Sequence, residues 1–387
     1  MSEYQYYEWL ALDRPLDAQQ IKEVGALSSH MDTVSATQAS VTYSWGDFKH
    51  DPLKILERYF DAFLYVANWG TRRLAFRFPK AAISARALEP YLIERVITVT
   101  HSGSFTLLDI EINEEDGGRS DWIEAEGLLA QVAGVRRQII NGDYRALYLV
   151  WLAMVTRRGD SDGDEDVDES EMDEDESDGT PSVEPPVPAG LQSLDGSLGA
   201  LCNLFDVDMH LVKAAAASSA RVAKPTVSAV RLAIARLPRE RVDAYLLQLL
   251  NDEPQLSSAL LKELGLSATA PSQQTGKSRT AKTLLEAAKR RAETEQQRDQ
   301  EEAKRARIAA LEKLATREES AWEAVDLLMR KQTAAGYDAA VQQLIDLHDL
   351  AEHRGSMRDF AARLAKVVAE FGKSAALMKR LRMARLV

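Results

Sequence analysis

Residues 73–78, RLAFRF, alternate polar and apolar side chains with the period of two that a β-strand requires. Leu74, Phe76 and Phe78 would lie on one face of a sheet, and Arg73, Ala75 and Arg77 on the other. The pattern predicts a half-exposed strand, and it places a β-sheet in the N-terminal part of the chain.

Further strands are predicted on both sides of this one. Residues 4–12, YQYYEWLAL, are apolar on both alternating sets, which favours a strand that is covered on two faces. Residues 41–45 alternate cleanly, and residues 96–100 and 105–112 flank a Ser102-Gly103 turn as the arms of a hairpin.

Helices are predicted between and after these strands. Asp17 and Gln20 have the spacing of a capping box, and Asp51-Pro52 has the cap and first-turn proline of a second helix, whose apolar stripe runs over residues 53–64. Two more helices are expected over residues 122–140 and 144–157. This order of elements predicts an α+β domain with an antiparallel or mixed sheet, for which a ferredoxin-like arrangement is the candidate topology.

Aromatic content and charge divide the chain into segments of different character. Twenty of the 26 aromatic residues lie in residues 1–158, so the densest core is expected there. Residues 159–184 contain fourteen acidic and no basic residues, whereas the whole chain has a net charge of −12. The predicted domains are therefore an α+β domain at 1–158, a disordered acidic and proline-containing linker at 159–190, a small helical bundle at 191–270, a long charged helix at 271–330, and a helical hairpin with a basic tail at 331–387.

The long helix and the hairpin have distinct patterns. Between Leu285 and Ile308 no large apolar residue occurs, so a solvated helix supported by pairs such as Glu286–Arg290 and Glu301–Arg305 is favoured over a coiled coil, which remains the alternative. Residues 331–387 predict a single tetratricopeptide-like helical hairpin that packs on a neighbouring helix around Trp322. This region is predicted to be all-α.

Two sets of segments carry a resemblance to known proteins. YYEWLALDRPL, YSWGDFKHDP and LYVANWGTRRLAFRFP near the start, and AWEAVDLL with YDAAVQQLIDLHDLA near the end, resemble a group of uncharacterised bacterial proteins. The closing segment is also similar to the C-terminal helices of some bacterial SWIM-type zinc-finger proteins. The resemblance implies no activity, and because the zinc-binding Cys and His pattern is absent, it implies no zinc.

Several motifs that could carry chemistry are incomplete. The phosphate-loop-like residues Thr275 to Ser278 lack the required upstream glycine, since that position is Pro271. The acidic triplet that begins at Asp160 resembles a calcium loop but has Glu165 in place of the turn glycine. The histidines are scattered, and Cys202 sits in an apolar helical pattern. We therefore expect no catalytic residue, metal site or cofactor.

Two candidate binding regions remain. The first is a basic and aromatic patch around the strand at 73–78, whose alternative interpretation is simply the solvated face of that strand. The second is a basic C-terminal tail, which could equally be a cationic helix end that complements the helix dipole. The patch consists of Trp45, Trp69, Arg72, Arg73, Arg77 and Lys80, and the tail of Lys373, Lys379, Arg380, Arg382 and Arg385.

The expected function follows from the lack of a complete catalytic motif and from the lack of membrane and signal segments in the sequence. No apolar run approaches the roughly 20 residues that span a bilayer, and the N-terminus has no signal-peptide pattern, so a cytoplasmic protein without integral membrane association is expected. A non-enzymatic scaffold or adaptor with protein partners is the leading hypothesis. A nucleic-acid-associated protein, binding through the basic C-terminal region and modulated by the acidic linker, is the alternative. An enzyme of unrecognised type is the third hypothesis, and it would need a pocket with convergent polar groups.

Overall fold

The N-terminal region of the computed structural model contains one seven-stranded sheet in which every neighbouring pair is antiparallel. The structure describes residues 3–113, 125–161, 183–222, 226–250, 256–266 and 279–387. The strand order is β2-β3-β1-β4-β5-β7-β6. The strands are β1 Gln5–Leu10, β2 Met31–Val34, β3 Gln38–Tyr43, β4 Ala62–Ala67, β5 Arg72–Pro79, β6 Ile97–Ser102 and β7 Phe105–Ile112.

The first part of the sheet has the β-α-β-β-α-β element order of a ferredoxin-like unit. The helices of this unit are α1 Ala18–Gly25 and α2 Pro52–Tyr59. The predicted capping box of α1 is present, with Asp17 and Gln20 bonded reciprocally, and Asp51 caps α2 ahead of its first-turn proline. Both α-helical starts and the α+β fold class are thus confirmed.

The helical stripe predicted over residues 53–64 is wrong beyond Tyr59. Helix α2 ends there, and Phe63 and Leu64 belong to β4 between β1 and β5. Phe63 packs on the α1 and α2 side of the sheet, whereas Leu64 packs on the opposite side. The segment AFLYVA has aromatic and aliphatic side chains at alternate positions. As a central strand it buries both sets, and this stabilises the strand more than the three-to-four spacing of its apolar residues would stabilise a longer α2.

Helices on the other side of the sheet complete its larger core. The helix predicted over 122–140 is interrupted at Ala133, and residues 114–124 lie outside the described part of the chain. A Cβ on Gly134 would come within 2.3 Å of the Ser197 hydroxyl oxygen. The break between the two helices therefore lies where the first turn of the helix Gly196–Leu204 approaches them. The helices here are α3 Ala85–Leu88, α4 Leu128–Val132, α5 Gly134–Ile140, α6 Arg145–Ser161, α7 Gly196–Leu204 and α8 Met209–Ala216.

The chain divides at a different place from the one predicted. One compact unit comprises Met1–Arg291 and the other Ala292–Val387. Helices α7 and α8, assigned from the sequence to a separate bundle at 191–270, bury Leu201 and Leu211 in the same core as the sheet. Residues 183–190, assigned to the disordered linker, contain the buried Glu184 and Val187. The sequence pattern shows that these segments have apolar faces, but it does not show which neighbour covers those faces.

The continuous helix predicted through the 271–330 region is also broken. Helix α12 Ala281–Ala315 and helix α13 Glu318–Arg330 are separate, so that Leu311, Leu314 and Val325 join one core. The intervening solvated stretch is as expected, since residues 293–310 are exposed and Glu301 lies 3.7 Å from Arg305. Before α12 come α9 Val227–Ala235, α10 Arg239–Leu250 and α11 Leu256–Glu263.

The second unit contains the predicted hairpin. Helix α14 Ala334–Arg354 ends at Gly355, whose φ of 68° permits the turn into α15 Met357–Phe371. Helix α13 packs along α14, as the sequence predicted for the region of Trp322, and α16 Ala375–Met383 closes the core with Leu377 and Leu381. Among the residues that the structure describes, no helix is both long and apolar enough to cross a membrane.

Candidate functional site

The basic and aromatic patch predicted around β5 is not a continuous surface. Gln5 pairs with both Tyr43 and Ala67, so Trp45 and Trp69, which follow β3 and β4, emerge at one end of the sheet. Lys80 follows β5 at its other end. Since a strand rises roughly 3.3 Å per residue, the eight residues of β5 separate these groups by about 25 Å.

The three arginines of the patch are engaged within the protein. Arg72 is buried and donates from Nη1 to the Leu204 carbonyl oxygen at 3.0 Å. Arg73 makes two hydrogen bonds to Asp109, at 2.9 and 2.7 Å, and lies 3.1 Å from Glu111.

Arg77 donates to Asp61 at 2.9 Å and to the Glu57 carbonyl at 2.6 Å. Arg136 extends the same network, because its guanidinium contacts both Asp13 carboxylate oxygens at 2.8 and 2.7 Å. Asp61 also accepts the backbone N–H groups of Leu12 and Asp13. These arginines therefore hold strands and helices together, and they offer little positive charge to a ligand.

The basic C-terminal tail is partly available. Arg380 is paired with Asp338 at 2.6 Å, and Leu377 and Leu381 fix α16 in the core of the second unit. The other four cations are exposed, and no ion pair holds them among the described residues. They are Lys373, Lys379, Arg382 and Arg385.

The other sequence candidates do not form reactive centres in the described chain. Residues 275–278 and the acidic loop from Asp162 onward lie outside the described residues. Cys202 is buried, and burial raises the pKa of its thiol to about 11, which disfavours the nucleophilic thiolate.

A group of possible metal ligands lies on α14. Ligand atoms of His348, Asp349 and Glu352 all lie within 4.8 Å of one another. However, the Arg307 guanidinium contacts Asp349 at 2.5 Å and Asp346 at 2.9 Å. A fixed positive charge against this carboxylate disfavours a cation at the same place.

A cavity of about 460 Å³ lies between the start of α6 and residues 188–195. Tyr91 and Tyr144 line it with ring centroids 5.7 Å apart, and Arg145 forms part of its wall. Arg145 already makes bidentate bonds to Asp143 and donates to the carbonyl oxygens of Gly190 and Ser193. Arg145 thus fastens residues 190–193 to the start of α6, and its guanidinium is engaged in these bonds and not directed at the space as a catalytic group would be.

The least expected feature is an uncovered apolar surface on α9, α10 and α11. Neither α9 nor α10 contains a buried residue, and none of the described residues of α11 is buried. Leu250 is 80% exposed, although leucine is usually an interior residue. The large apolar side chains that are exposed here are Val227, Leu232, Ile234, Leu246, Leu247, Leu249 and Leu250.

We refer to these seven side chains as the α9–α10 surface. Sequence reasoning assigned these helices to the interior of a small bundle, because their apolar residues recur at helical spacing. The signal that could have distinguished a surface is the charge-free run YLLQLL at 245–250, which is apolar around more of the helix than one core contact needs.

Comparison with protein-family models, with curated proteins and with solved structures gives no match. The function must therefore be argued from the surfaces and contacts of this chain.

Proposed function

We propose that the chain is a non-enzymatic cytoplasmic scaffold or adaptor that acts by protein–protein association. The α9–α10 surface is the single observation that carries the proposal. Monomeric proteins rarely expose contiguous apolar patches larger than a few hundred Å², and larger ones mark interaction sites. Seven aliphatic side chains within 24 residues are exposed here, and Leu246, Leu249 and Leu250 of α10 share one helical face.

The local energetics support this assignment. Helix α9 has 9 residues and α11 has 8, whereas isolated helices shorter than roughly 12–15 residues are marginal in water. Burying one leucine fully contributes about 1.5–3 kcal/mol. Covering the α9–α10 surface would therefore stabilise three short helices that bury little in their own chain.

The proposal is tested by photo-crosslinking in cells. A benzophenone amino acid replaces Leu249 on α10, and the matched control carries it at Leu327, which is similarly exposed on α13 at 64% against 61%. We expect an adduct of discrete mass from position 249 and none of comparable yield from position 327. Equal yields from both positions, or no adduct from 249, would contradict the proposal.

Nucleic-acid association is a second candidate, supported by the four exposed cations of the C-terminal tail. Counterion release would make such binding strongly salt-dependent, with a slope that reflects the number of phosphate contacts. The quadruple substitution of Lys373, Lys379, Arg382 and Arg385 by Gln should then abolish a gel shift that the native chain gives at low salt. The absence of any shift, both with the native chain and with a chain that lacks the acidic stretch 162–178, would exclude this candidate.

A further inference from the structure

We propose that the cavity beside the start of α6 binds a small aromatic carboxylate with an oxygen substituent, whose ring lies against two tyrosines and whose carboxylate pairs with Arg221. The site is one for binding and not for catalysis, and it goes beyond the association function proposed for the α9–α10 surface. The inference follows from the size of the cavity, its fixed wall, its aromatic inner end, and two hydrogen-bond donors that the described chain leaves without an acceptor.

The size of the cavity suits a ligand of one or two rings. Small-molecule sites generally have volumes of about 300–1,000 Å³, and this cavity has about 460 Å³. A cavity of about 150 Å³ is already large enough to hold benzene. The remaining volume accommodates a second ring and a carboxylate.

The wall formed by residues 188–193 is fixed by bonds on both of its sides. The Ser219 hydroxyl donates to the Pro188 carbonyl oxygen at 2.7 Å, and the Arg145 guanidinium donates to the Gly190 carbonyl oxygen at 3.1 Å. Gly190 has a φ of 87°, a conformation that favours glycine. Because this wall is already in place, binding does not require the chain to be ordered first, and little conformational entropy is lost.

The inner end of the cavity is aromatic. Tyr91 and Tyr144 line it and are both buried, with their ring planes inclined at 40° to each other. The Tyr91 hydroxyl donates to the Pro186 carbonyl oxygen at 2.8 Å, which holds the ring in place. Aromatic rings favour offset or edge contacts with other aromatic rings, and such contacts contribute more than burial alone. We therefore assign the ring of the ligand to this end.

Tyr144 provides a hydrogen-bond donor at the inner end. Its side chain is buried, and its hydroxyl has no acceptor among the residues that the structure describes. Burial raises the pKa of Tyr144 above its ordinary value of 10, so the hydroxyl keeps its proton at neutral pH. A ligand that places an oxygen here would give this hydroxyl the acceptor that it lacks.

Arg221 provides the charge that selects an anion. The other charged groups of the lining are engaged, since Arg145 binds Asp143 through two nitrogen atoms and Asp195 accepts backbone N–H groups from the first turn of α7. Arg221 and Val222 are exposed and so lie at the rim, and in the described part of the chain no acidic group pairs with Arg221. A guanidinium matches a carboxylate with two parallel hydrogen bonds.

A single available cation also favours a carboxylate over a phosphate. A phosphate monoester carries about two negative charges at pH 7, and here it would meet one guanidinium and, at the same rim, the Asp195 carboxylate. A carboxylate carries one negative charge, which Arg221 balances.

The test is a calorimetric titration of the full chain with a hydroxynaphthoate whose hydroxyl and carboxylate stand at opposite ends of the fused rings. We expect one molecule to bind per chain, with a dissociation constant of about 1 mM or tighter. An uncharged analogue, in which a hydroxymethyl group replaces the carboxylate, should bind about tenfold more weakly or worse, because it loses the charged hydrogen bonds.

Two variants test the two donors separately. Arg221→Gln should weaken binding of the hydroxynaphthoate by about tenfold or more, and Tyr144→Phe by about two- to tenfold. Tyr144→Phe should not weaken binding of plain naphthoate, which has no oxygen for that hydroxyl. The control Arg86→Gln removes an exposed arginine of α3 outside the cavity lining and should leave binding unchanged.

Failure of the native chain to bind the hydroxynaphthoate would overturn the inference. Equal binding of the uncharged analogue, or native affinity in the Arg221→Gln variant, would also overturn it. Thermal unfolding of each variant separates a lost contact from a lost fold. None of these results bears on the association function, because that proposal is tested by crosslinking at Leu249.

Discussion

Helices α10 and α14 have similar apolar stripes but opposite surroundings. Helix α14 buries Leu344 and Leu347 against its neighbours α13 and α15, whereas α10 has Leu246 and Leu250 in solvent. The difference shows that an amphipathic pattern specifies a face to be covered, and not what covers it. In the second unit the chain supplies the cover, and in the α9–α11 segment the described chain does not.

The largest loss of stability is expected when a buried ion pair of the first unit is broken. Arg279 makes two hydrogen bonds to Glu184, at 2.7 and 2.6 Å, and Tyr148 donates a short hydrogen bond to the same carboxylate. Only 1% of the Glu184 side chain is exposed. Arg279→Met should therefore destabilise the first unit by about 3–5 kcal/mol in urea unfolding, because a buried carboxylate loses its partner.

The double variant Glu184→Gln/Arg279→Met is the control for that experiment. It leaves no charge buried and keeps an acceptor for Tyr148, so most of the stability should return. A single variant as stable as the native chain would mean that this pair does not hold residues 183 and 184 against the start of α12, where Val183 and Thr280 form a β-bridge.

The next prediction compares the stability lost on truncating a buried leucine with the stability lost on truncating an exposed one. Leu344→Ala on α14 should cost about 2–5 kcal/mol, because it opens a cavity in a closed core. Leu247→Ala on α10, at a residue that is 61% exposed, should change the unfolding free energy of the purified chain by less than about 0.5 kcal/mol. Equal costs for the two substitutions would show that α10 is covered within its own chain.

A pH-dependent effect is expected at Glu8 in the centre of β1. This residue is fully buried on the larger core side of the sheet, and Gln38 donates a hydrogen bond to its Oε1 at 2.8 Å. Burial is the largest cause that raises the pKa of Glu8 above its ordinary value of 4.5. The folded chain therefore holds this proton at pH values where the unfolded chain has released it, and stability falls as the pH rises above about 4.5.

Glu8→Gln removes this proton-linked loss. The variant should gain stability relative to the native chain as the pH is raised from 4 to 7, as measured by thermal unfolding at each pH. A difference between variant and native chain that is constant with pH would contradict a raised pKa at Glu8.

The smallest effect is expected on the solvated part of α12. Glu301 and Arg305 are both largely exposed and lie 3.7 Å apart. Glu301→Gln should cost less than about 0.5 kcal/mol, and salt should reduce the cost further. A loss above 1 kcal/mol in thermal unfolding would show that this stretch is covered by a partner.

The sequence was sufficient where local chemistry decides the structure. The capping box at Asp17 and Gln20, the alternation around Phe76 and the turn at Gly355 each define an element through contacts within a few residues. The solvated character of α12 could also be predicted, because it depends on composition alone.

Sequence was insufficient where distant segments compete. Phe63 and Leu64 fit the stripe of α2, but pairing with β1 and β5 places them in a strand. Arg72, Arg73 and Arg77 look like a basic patch because their acceptors, at Leu204, Asp109 and Asp61, are far away or on other strands. The helices of the α9–α10 surface were assigned to a helical bundle because their apolar residues recur at helical spacing. That spacing is the same whether or not another part of the chain covers the apolar face.

Hydrogen exchange of α10 against α14 tests the central claim most directly, with the purified chain compared before and after addition of the protein that crosslinks at Leu249. If that protein covers the α9–α10 surface, protection of the α10 amides should rise on its addition, while protection of α14 stays unchanged. Protection of α10 that does not change on addition, or that already equals the protection of α14 without the partner, would contradict the account.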